Sequence, residues 1–335
     1  MALCNSKDDP PVGNGSRGEK GVAMNTEGTI TGLIGTKYPV IMGALGALAG
    51  PELIAAVSEA GGLGLISTVA LDEKSLPEMI AKTREITDKP IGANLMALNP
   101  KSSQMIEVLA DEGVTVVTVS AGSPKTLTKA LHDAGLTVLH IIPTPGLAAK
   151  AESAGVDAVV AEGSESGGMQ SRNPISTFCL IPQVIDAVGI PVVAAGGIYD
   201  ARSYAAAFAL GAKGVQIGTR LILTDECPAH PEYKRALLEA GPEDTLVVPM
   251  GVGPLHVLNN GFIKGVAELE EAEKTQKITE AWAGFNTTCL QGDSEGTLVM
   301  TGQCAGAIDR ILPAGEVIQS IAENGADILE NCRAR

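Results

Sequence analysis

The chain repeats one pattern eight times: a short apolar run, a turn that contains Gly or Pro, and then a helical stretch. The runs are nearly continuous in apolar residues, which is typical of parallel strands buried on both faces. They begin roughly 20–35 residues apart, the length of one strand–helix unit. The predicted strands are 39–42, 62–66, 90–95, 115–119, 137–141, 157–161, 191–195 and 214–217.

Eight strand–helix units favour a closed (β/α)8 TIM barrel, an α/β fold, over its competitor, an open doubly wound sheet. Five helical stretches end at a glycine, as expected for a left-handed residue that terminates a helix. These glycines are Gly61, Gly113, Gly135, Gly155 and Gly211.

The two regions outside the repeats predict a leader and a cap. Residues 1–30 are rich in Gly, Ser, Asn and Lys and lack the apolar core of a signal peptide, so we expect a flexible leader. Residues 225–291 hold charged helical stretches, which we interpret as a helical cap or substrate lid. The barrel would then comprise 31–224 and 292–335.

Charge and cysteine content limit the partners that this chain is expected to have. A net charge of −15 repels a phosphate backbone, which excludes nucleic acid as an expected partner. No apolar run reaches the length of a membrane span. Six scattered cysteines without a CxxC motif indicate reduced thiols and a cytoplasmic location. We therefore expect a small-molecule substrate and leave a homodimer open.

In a barrel of this kind, the residues that follow the strands form the site. Gly196 and Gly197 follow the seventh run, and Gly218 and Thr219 follow the eighth. Bare backbone N–H groups at these two places are typical of a phosphate cradle. The alternative is that these glycines only form tight turns.

Polar residues at other strand ends suit a flat heterocycle. Asn94 closes the third run, and its amide is able to donate to and accept from a ring edge. Glu162 closes the sixth run, and the loop 166–168 has little side-chain bulk. Together with a phosphate cradle, these groups fit flavin mononucleotide (FMN), although Asn94 and Glu162 have the alternative role of capping loops.

Six segments carry a resemblance to a known family: YPVIMG (38–43), AGGLG (60–64), KPIGANL (89–95), AEGSESGG (161–168), AAGGI (194–198) and QIGTR (216–220). With ECPAHP (226–231) and MTGQCAG (300–306), the chain from about residue 36 to 321 resembles the FMN-dependent nitronate monooxygenase and enoyl-[acyl-carrier-protein] reductase family.

The resemblance implies a barrel that holds FMN noncovalently and without a metal. It implies that Met42 and Gly43 contact the flavin through their backbone and Asn94 through its amide, while Glu162 and Gly167 line the cofactor. The phosphate end would be held by Gly196, Gly197, Gln216, Ile217, Gly218 and Thr219.

The catalytic part of the resemblance departs from the family pattern at one position. Family members usually carry His directly after the Gly-Gly of the sixth loop, and this chain has Met169 there. A thioether cannot exchange a proton near neutral pH. We therefore take His140 and His256 as candidate catalytic residues, on condition that they face the flavin or the substrate. The alternative for His140 is an outward position under a helix.

The function implied is FMN-dependent reduction of an activated C=C bond, in an enoyl thioester or an enone, with NADH or NADPH as co-substrate. The alternatives are oxidation of alkyl nitronates with O2, a flavin-binding protein without catalysis, and a phosphate-binding barrel without flavin.

Overall fold

A computed structural model describes residues 29–333, and eight parallel strands form its centre. Numbered along the chain, they are Val40–Met42 (β1), Gly64–Ser67 (β2), Ile91–Met96 (β3), Val116–Ser120 (β4), Thr137–Ile142 (β5), Ala158–Glu162 (β6), Val192–Ala195 (β8) and Gly214–Ile217 (β9). The short strand Gly168–Met169 (β7) lies outside this sheet. Each of the eight barrel strands overlaps one of the predicted runs.

The sheet closes into a barrel. Its strand order is β1-β9-β8-β6-β5-β4-β3-β2, and β1 meets the start of β2 through backbone hydrogen bonds. Met42 N–H donates to the Leu63 carbonyl at 2.9 Å, and Leu63 N–H donates to the Val40 carbonyl at 2.9 Å. The prediction of a TIM barrel is confirmed, and the open-sheet alternative is wrong.

The described chain contains thirteen α-helices, and those that alternate with the barrel strands cover the outside of the barrel. The thirteen helices are Ile30–Ile34 (α1), Pro51–Glu59 (α2), Ser75–Arg84 (α3), Met105–Asp111 (α4), Thr128–Asp133 (α5), Pro145–Ser153 (α6), Thr177–Ala187 (α7), Ala201–Ala209 (α8), Thr219–Ile222 (α9), Pro231–Leu238 (α10), Gly261–Ala267 (α11), Glu271–Thr288 (α12) and Ala314–Arg333 (α13). The five predicted terminal glycines all have positive φ, from 73° to 105°. Helix α13 packs between α2 and α8.

The core lies on both sides of the barrel wall. Strand residues such as Val159, Val193 and Val215 are fully buried, as the continuous apolar runs predicted. Burying an aliphatic side chain of this size stabilises the fold by roughly 1.5–3 kcal/mol. The wall is therefore a rigid support for whatever its strand ends carry.

A second, three-stranded sheet joins the segment predicted as a helical cap to the loop that follows β6. Strands Thr245–Val248 (β10) and Leu255–Leu258 (β11) pair antiparallel, and β11 pairs in turn with β7 from the barrel. Val248, Leu255, Val257, Ile263 and Ile278 form a separate small core with α11 and α12. The cap thus contains strands as well as helices, and its sheet includes the loop that follows β6.

The predicted leader falls outside the described residues except for Thr29 and Ile30, and Ile30 begins α1. Within residues 29–333, no helix has both the length and the apolar character needed to cross a membrane.

Candidate active site

A cavity of about 600 Å³ opens at the carboxyl ends of the barrel strands. This volume is in the range of sites that bind cofactors and small molecules. The cavity is lined by strand ends and loops of the barrel and, on one side, by α12 of the cap. Ten predicted site residues line it: Gly43, Asn94, His140, Glu162, Gly167, Gly196, Gly197, Gln216, Gly218 and Thr219. Met169, which replaces the usual family His, lines it as well.

One side of the cavity presents backbone rather than side chains. Gly196 has φ +96°, and a Cβ there would lie 2.8 Å from the Gly163 carbonyl oxygen. A Cβ on Gly197 would lie 3.1 Å from Cβ of Glu165. At the end of β9, which pairs with β8, Gly218 precedes Thr219, whose hydroxyl accepts from Gly302 N–H at 2.9 Å. Close-packed glycines that expose amide groups suit an anionic phosphoryl group.

Buried polar side chains form the next part of the wall. Asn94 Nδ2 donates to Thr118 Oγ1 at 3.0 Å, and Ser120 Oγ donates to Asn94 Oδ1 at 3.3 Å, so the amide is held in place. Among the described residues, Gln216 Oε1 and His140 Nδ1 are buried without a hydrogen-bond partner. Such atoms are costly to leave unpaired. A ligand with polar ring edges would satisfy both, and flavin fits this requirement.

Burial changes the protonation of the two central titratable groups. It raises the pKa of the Glu162 carboxyl to about 7, although a hydrogen bond from the Ser166 side chain opposes the shift. It lowers the pKa of His140, so the imidazole is neutral at pH 7. No Lys or Arg is among the described residues that line the cavity. Burial therefore favours the protonated form of Glu162 at pH values where an exposed carboxyl is ionised.

The loop after β6 is fixed from several directions. The Glu165 carboxylate accepts from Thr177 N–H at 2.7 Å and from Thr177 Oγ1 at 2.8 Å, and so it satisfies the start of α7. A Cβ on Gly167 would lie 2.6 Å from the backbone of Thr301. Sequence reasoning missed the role of Glu165, since no local spacing signals a contact twelve positions away.

The opposite side of the cavity is apolar. Met169 lies on β7, and it faces the same cavity as Trp282, Phe285 and Met300. Sequence reasoning did not assign Trp282, Phe285 or Met300 to the site. The only sequence feature that pointed to α12 was the predicted lid over 225–291. Met300 lies in the segment 300–306, which served only to establish the family resemblance.

Three predicted residues do not line the cavity. Met42 and Ile217 are buried in the core, and Gly43 N–H donates to the Ile217 carbonyl at 2.8 Å. His256 lies beneath the loop after β6, where its Nδ1 is 2.8 Å from the Ser166 carbonyl oxygen. The roles assigned to these residues stay predictions.

Comparison with known proteins identifies the family. The family described as nitronate monooxygenase matches residues 27–105 and 100–324. The chain belongs to the nitronate monooxygenase family. Members are flavin (FMN)-dependent oxidoreductases, and this chain is an oxidoreductase of that type. The alternative of a flavin-binding protein without catalysis finds no support among its relatives, which are named as enzymes.

Two curated relatives share one name, (3aS,4S,5R,7aS)-5-hydroxy-7a-methyl-1-oxo-octahydro-1H-indene-4-carboxyl-CoA dehydrogenase. The Rhodococcus jostii protein is 39% identical over 238 residues, which is 71% of this chain and 67% of the relative. The Mycobacterium tuberculosis protein is 31% identical over 354 residues, covering 93% of this chain and 99% of the relative.

Two solved structures are similar over nearly the whole chain. FabK from Thermotoga maritima is 37% identical with a TM-score of 0.84, covering 91% of this chain and 98% of FabK. Nitroalkane oxidase from Streptomyces ansochromogenes is 27% identical with a TM-score of 0.77, covering 91% and 99%. Both likenesses support the barrel fold.

Proposed function

We propose that this chain reduces the activated C=C bond of a thioester, with FMN as its prosthetic group and NADH or NADPH as the source of hydride. When bound, FMN supplies hydride transfer between the nicotinamide and the substrate. The observation that carries the proposal is Met169, whose side chain lies on the cavity wall where the family usually places a proton-exchanging His. An apolar wall suits a carbon substrate better than an anionic nitronate.

The described residues divide the work of binding. Backbone amides at Gly196, Gly197 and Gly218 would hold the phosphoryl end, and Thr219 lies beside them. Asn94, Gln216 and His140 would satisfy the polar edges of the ring system. The fit rests on two buried cavity-lining residues with an atom that lacks a hydrogen-bond partner, Gln216 at Oε1 and His140 at Nδ1.

Proton delivery is the second requirement of C=C reduction, and Glu162 suits it better than His140. A proton donor needs a pKa near the working pH. Burial brings the pKa of Glu162 to about 7, whereas it lowers the pKa of His140 and keeps that ring neutral. We therefore assign proton supply to the Glu162 carboxyl.

The names of the relatives favour a thioester over a simple enone. The Rhodococcus jostii and Mycobacterium tuberculosis proteins are named for a carboxyl-CoA substrate with two fused rings. Trp282, Met300 and Met169 provide an apolar surface for the hydrocarbon part of such a molecule.

Anaerobic stopped-flow mixing tests the proposal. We expect NADH or NADPH to bleach the bound flavin rapidly and an enoyl-CoA to restore its absorbance. Bleaching by an alkyl nitronate and not by either nicotinamide would overturn the proposal.

Nitronate oxidation with O2 is the second candidate, supported by the family match and by the likeness to nitroalkane oxidase. The same experiment separates the two candidates, because only this reaction lets a nitronate reduce the flavin.

Location and assembly are further predictions. The five cysteines of the described chain are free thiols, which supports the cytoplasm as the expected compartment. A homodimer stays a prediction that analytical ultracentrifugation tests.

A further inference from the structure

His256 connects the cap to the loop that follows β6. It lies on β11, is 1% exposed, and pairs in register with Gly168 of β7. Its Nδ1 is 2.8 Å from the Ser166 carbonyl oxygen, and its Nε2 is 3.1 Å from Thr245 Oγ1 on β10. The ring therefore bridges the cap sheet and the wall of the cavity without lining the cavity.

The partners of His256 determine its tautomer. A carbonyl oxygen only accepts, so Nδ1 must carry the proton that it donates to Ser166. Nε2 is then free to accept from the Thr245 hydroxyl. Burial lowers the pKa of His256, while the Glu165 charge and the backbone carbonyls of Ser164 and Ser166 oppose that shift. The net effect favours the neutral ring at pH 7.

The Ser166 peptide connects His256 to residues that line the cavity. Its carbonyl also accepts from Gln170 Nε2 at 2.9 Å, and the same Nε2 donates to Ser166 Oγ at 2.8 Å. The Ser166 side chain also opposes the rise in the pKa of Glu162, which lines the cavity. Hydrogen bonds thus connect Thr245 in the cap to the Ser166 peptide, which immediately precedes Gly167 of the cavity wall.

We propose that His256 is a positioning residue that holds the Ser166 peptide, and with it Gly167 and Glu162, in the geometry that the cofactor requires. The cap then organises the cofactor wall of the barrel in addition to covering the substrate. This inference rests on the cofactor assignment of the proposed function and not on its substrate or on the direction of its reaction.

Two substitutions at His256 separate the Nδ1 contact from the rest of the side chain. His256→Asn places an amide N–H near the position of Nδ1, whereas His256→Gln places its amide near Nε2. FMN affinity is measured by quenching of flavin fluorescence, and the bound ring environment by visible circular dichroism. Thermal unfolding of each variant serves as the control for folding.

We expect His256→Gln to raise the FMN dissociation constant about tenfold, the effect of one lost buried hydrogen bond, and to change the visible spectrum. His256→Asn should stay within about threefold of the parent and keep its spectrum. The role of Nδ1 would be overturned if the parent, His256→Asn and His256→Gln bound FMN equally well. It would also be overturned if both variants folded and lost FMN affinity to the same extent.

Nitrogen-15 NMR of histidine-labelled parent protein provides a test that does not depend on a folded His256 variant. His256 should show the proton on Nδ1, with Thr245→Val used to assign its signals. His230 is the internal control, because its Nδ1 accepts from Glu232 N–H at 3.2 Å and its proton must lie on Nε2. A proton on Nε2 of His256 contradicts the inference.

A parent chain that fails to bind FMN overturns the cofactor assignment as well, whereas normal FMN binding with the wrong tautomer overturns the role of His256 alone.

Discussion

The two walls of the cavity are built in different ways. The barrel wall presents glycine backbone and buried polar side chains such as Asn94 and Gln216, all at the ends of buried strands. The cap wall presents Met169, Trp282 and Met300, which are apolar and come from three distant parts of the chain. From this difference we expect the barrel wall to bind the cofactor and the cap wall to select the substrate.

The largest expected effect on FMN affinity comes from a substitution in the barrel wall, Gly196→Ala. In Gly196→Ala the residue keeps an unfavourable φ of +96°, and its Cβ lies 2.8 Å from the Gly163 carbonyl oxygen. We expect FMN affinity to fall about a hundredfold or more, since strain and displacement together cost about 3 kcal/mol. Fluorescence titration with FMN measures the loss.

Gly155→Ala is the matched control for this substitution. Gly155 has φ +87°, but a Cβ there meets nothing within 4 Å. It should lower the thermal unfolding temperature and leave FMN affinity unchanged. An unchanged FMN affinity in Gly196→Ala would show that the close-packed glycine is not needed for the cofactor.

The second prediction concerns the pH dependence of stability that Glu162 causes. Burial raises the pKa of its carboxyl from 4.5 to about 7, so the folded chain binds the proton more tightly than the unfolded chain. The free energy of unfolding should therefore fall as pH rises from about 4.5 to 7, by up to roughly 3 kcal/mol, and level off above 7.

Chemical denaturation of the FMN-free chain at pH 5 and pH 7.5 measures this effect. Glu162→Gln should lose the Glu162 contribution and show a smaller decrease between the two pH values. Identical decreases in both proteins would mean that the carboxyl is not the group that titrates in this interval.

The third prediction tests whether Gln216 Oε1 is reserved for a ligand. Gln216→Met keeps the length of the side chain and removes the buried, unpaired oxygen. We expect the FMN-free chain to gain about 1 kcal/mol in stability and FMN affinity to fall about tenfold. Thermal unfolding and FMN titration measure the two opposite changes, and an FMN affinity equal to that of the parent would exclude this contact.

The contrast between the walls also explains what the sequence alone could predict. Strand ends are signalled locally by apolar runs, so the positions of Asn94, Glu162 and Gly196 followed directly from the barrel prediction. The contact between His256 and Ser166 joins residues 90 positions apart and depends on how the cap folds back. Strands β10 and β11 have only four residues each and lie in a charged, helical segment, so no periodicity distinguished them.

The smallest expected effect comes from a substitution in the cap wall, at Met169. Met169→His restores the residue type that the family usually has there, on a strand whose backbone is already held by Leu255 and His256. We expect kcat/KM for an alkyl nitronate to rise about tenfold, which is less than the ~10²-fold or more that a fully positioned general acid–base group contributes. We expect kcat/KM for an enoyl-CoA to fall severalfold as the wall becomes polar. Met169→Gln is the control, because it adds polarity without a group that exchanges protons near pH 7. A rise in nitronate turnover in both variants would assign the effect to polarity, and no rise in either would mean that the cap wall does not choose between the two reactions.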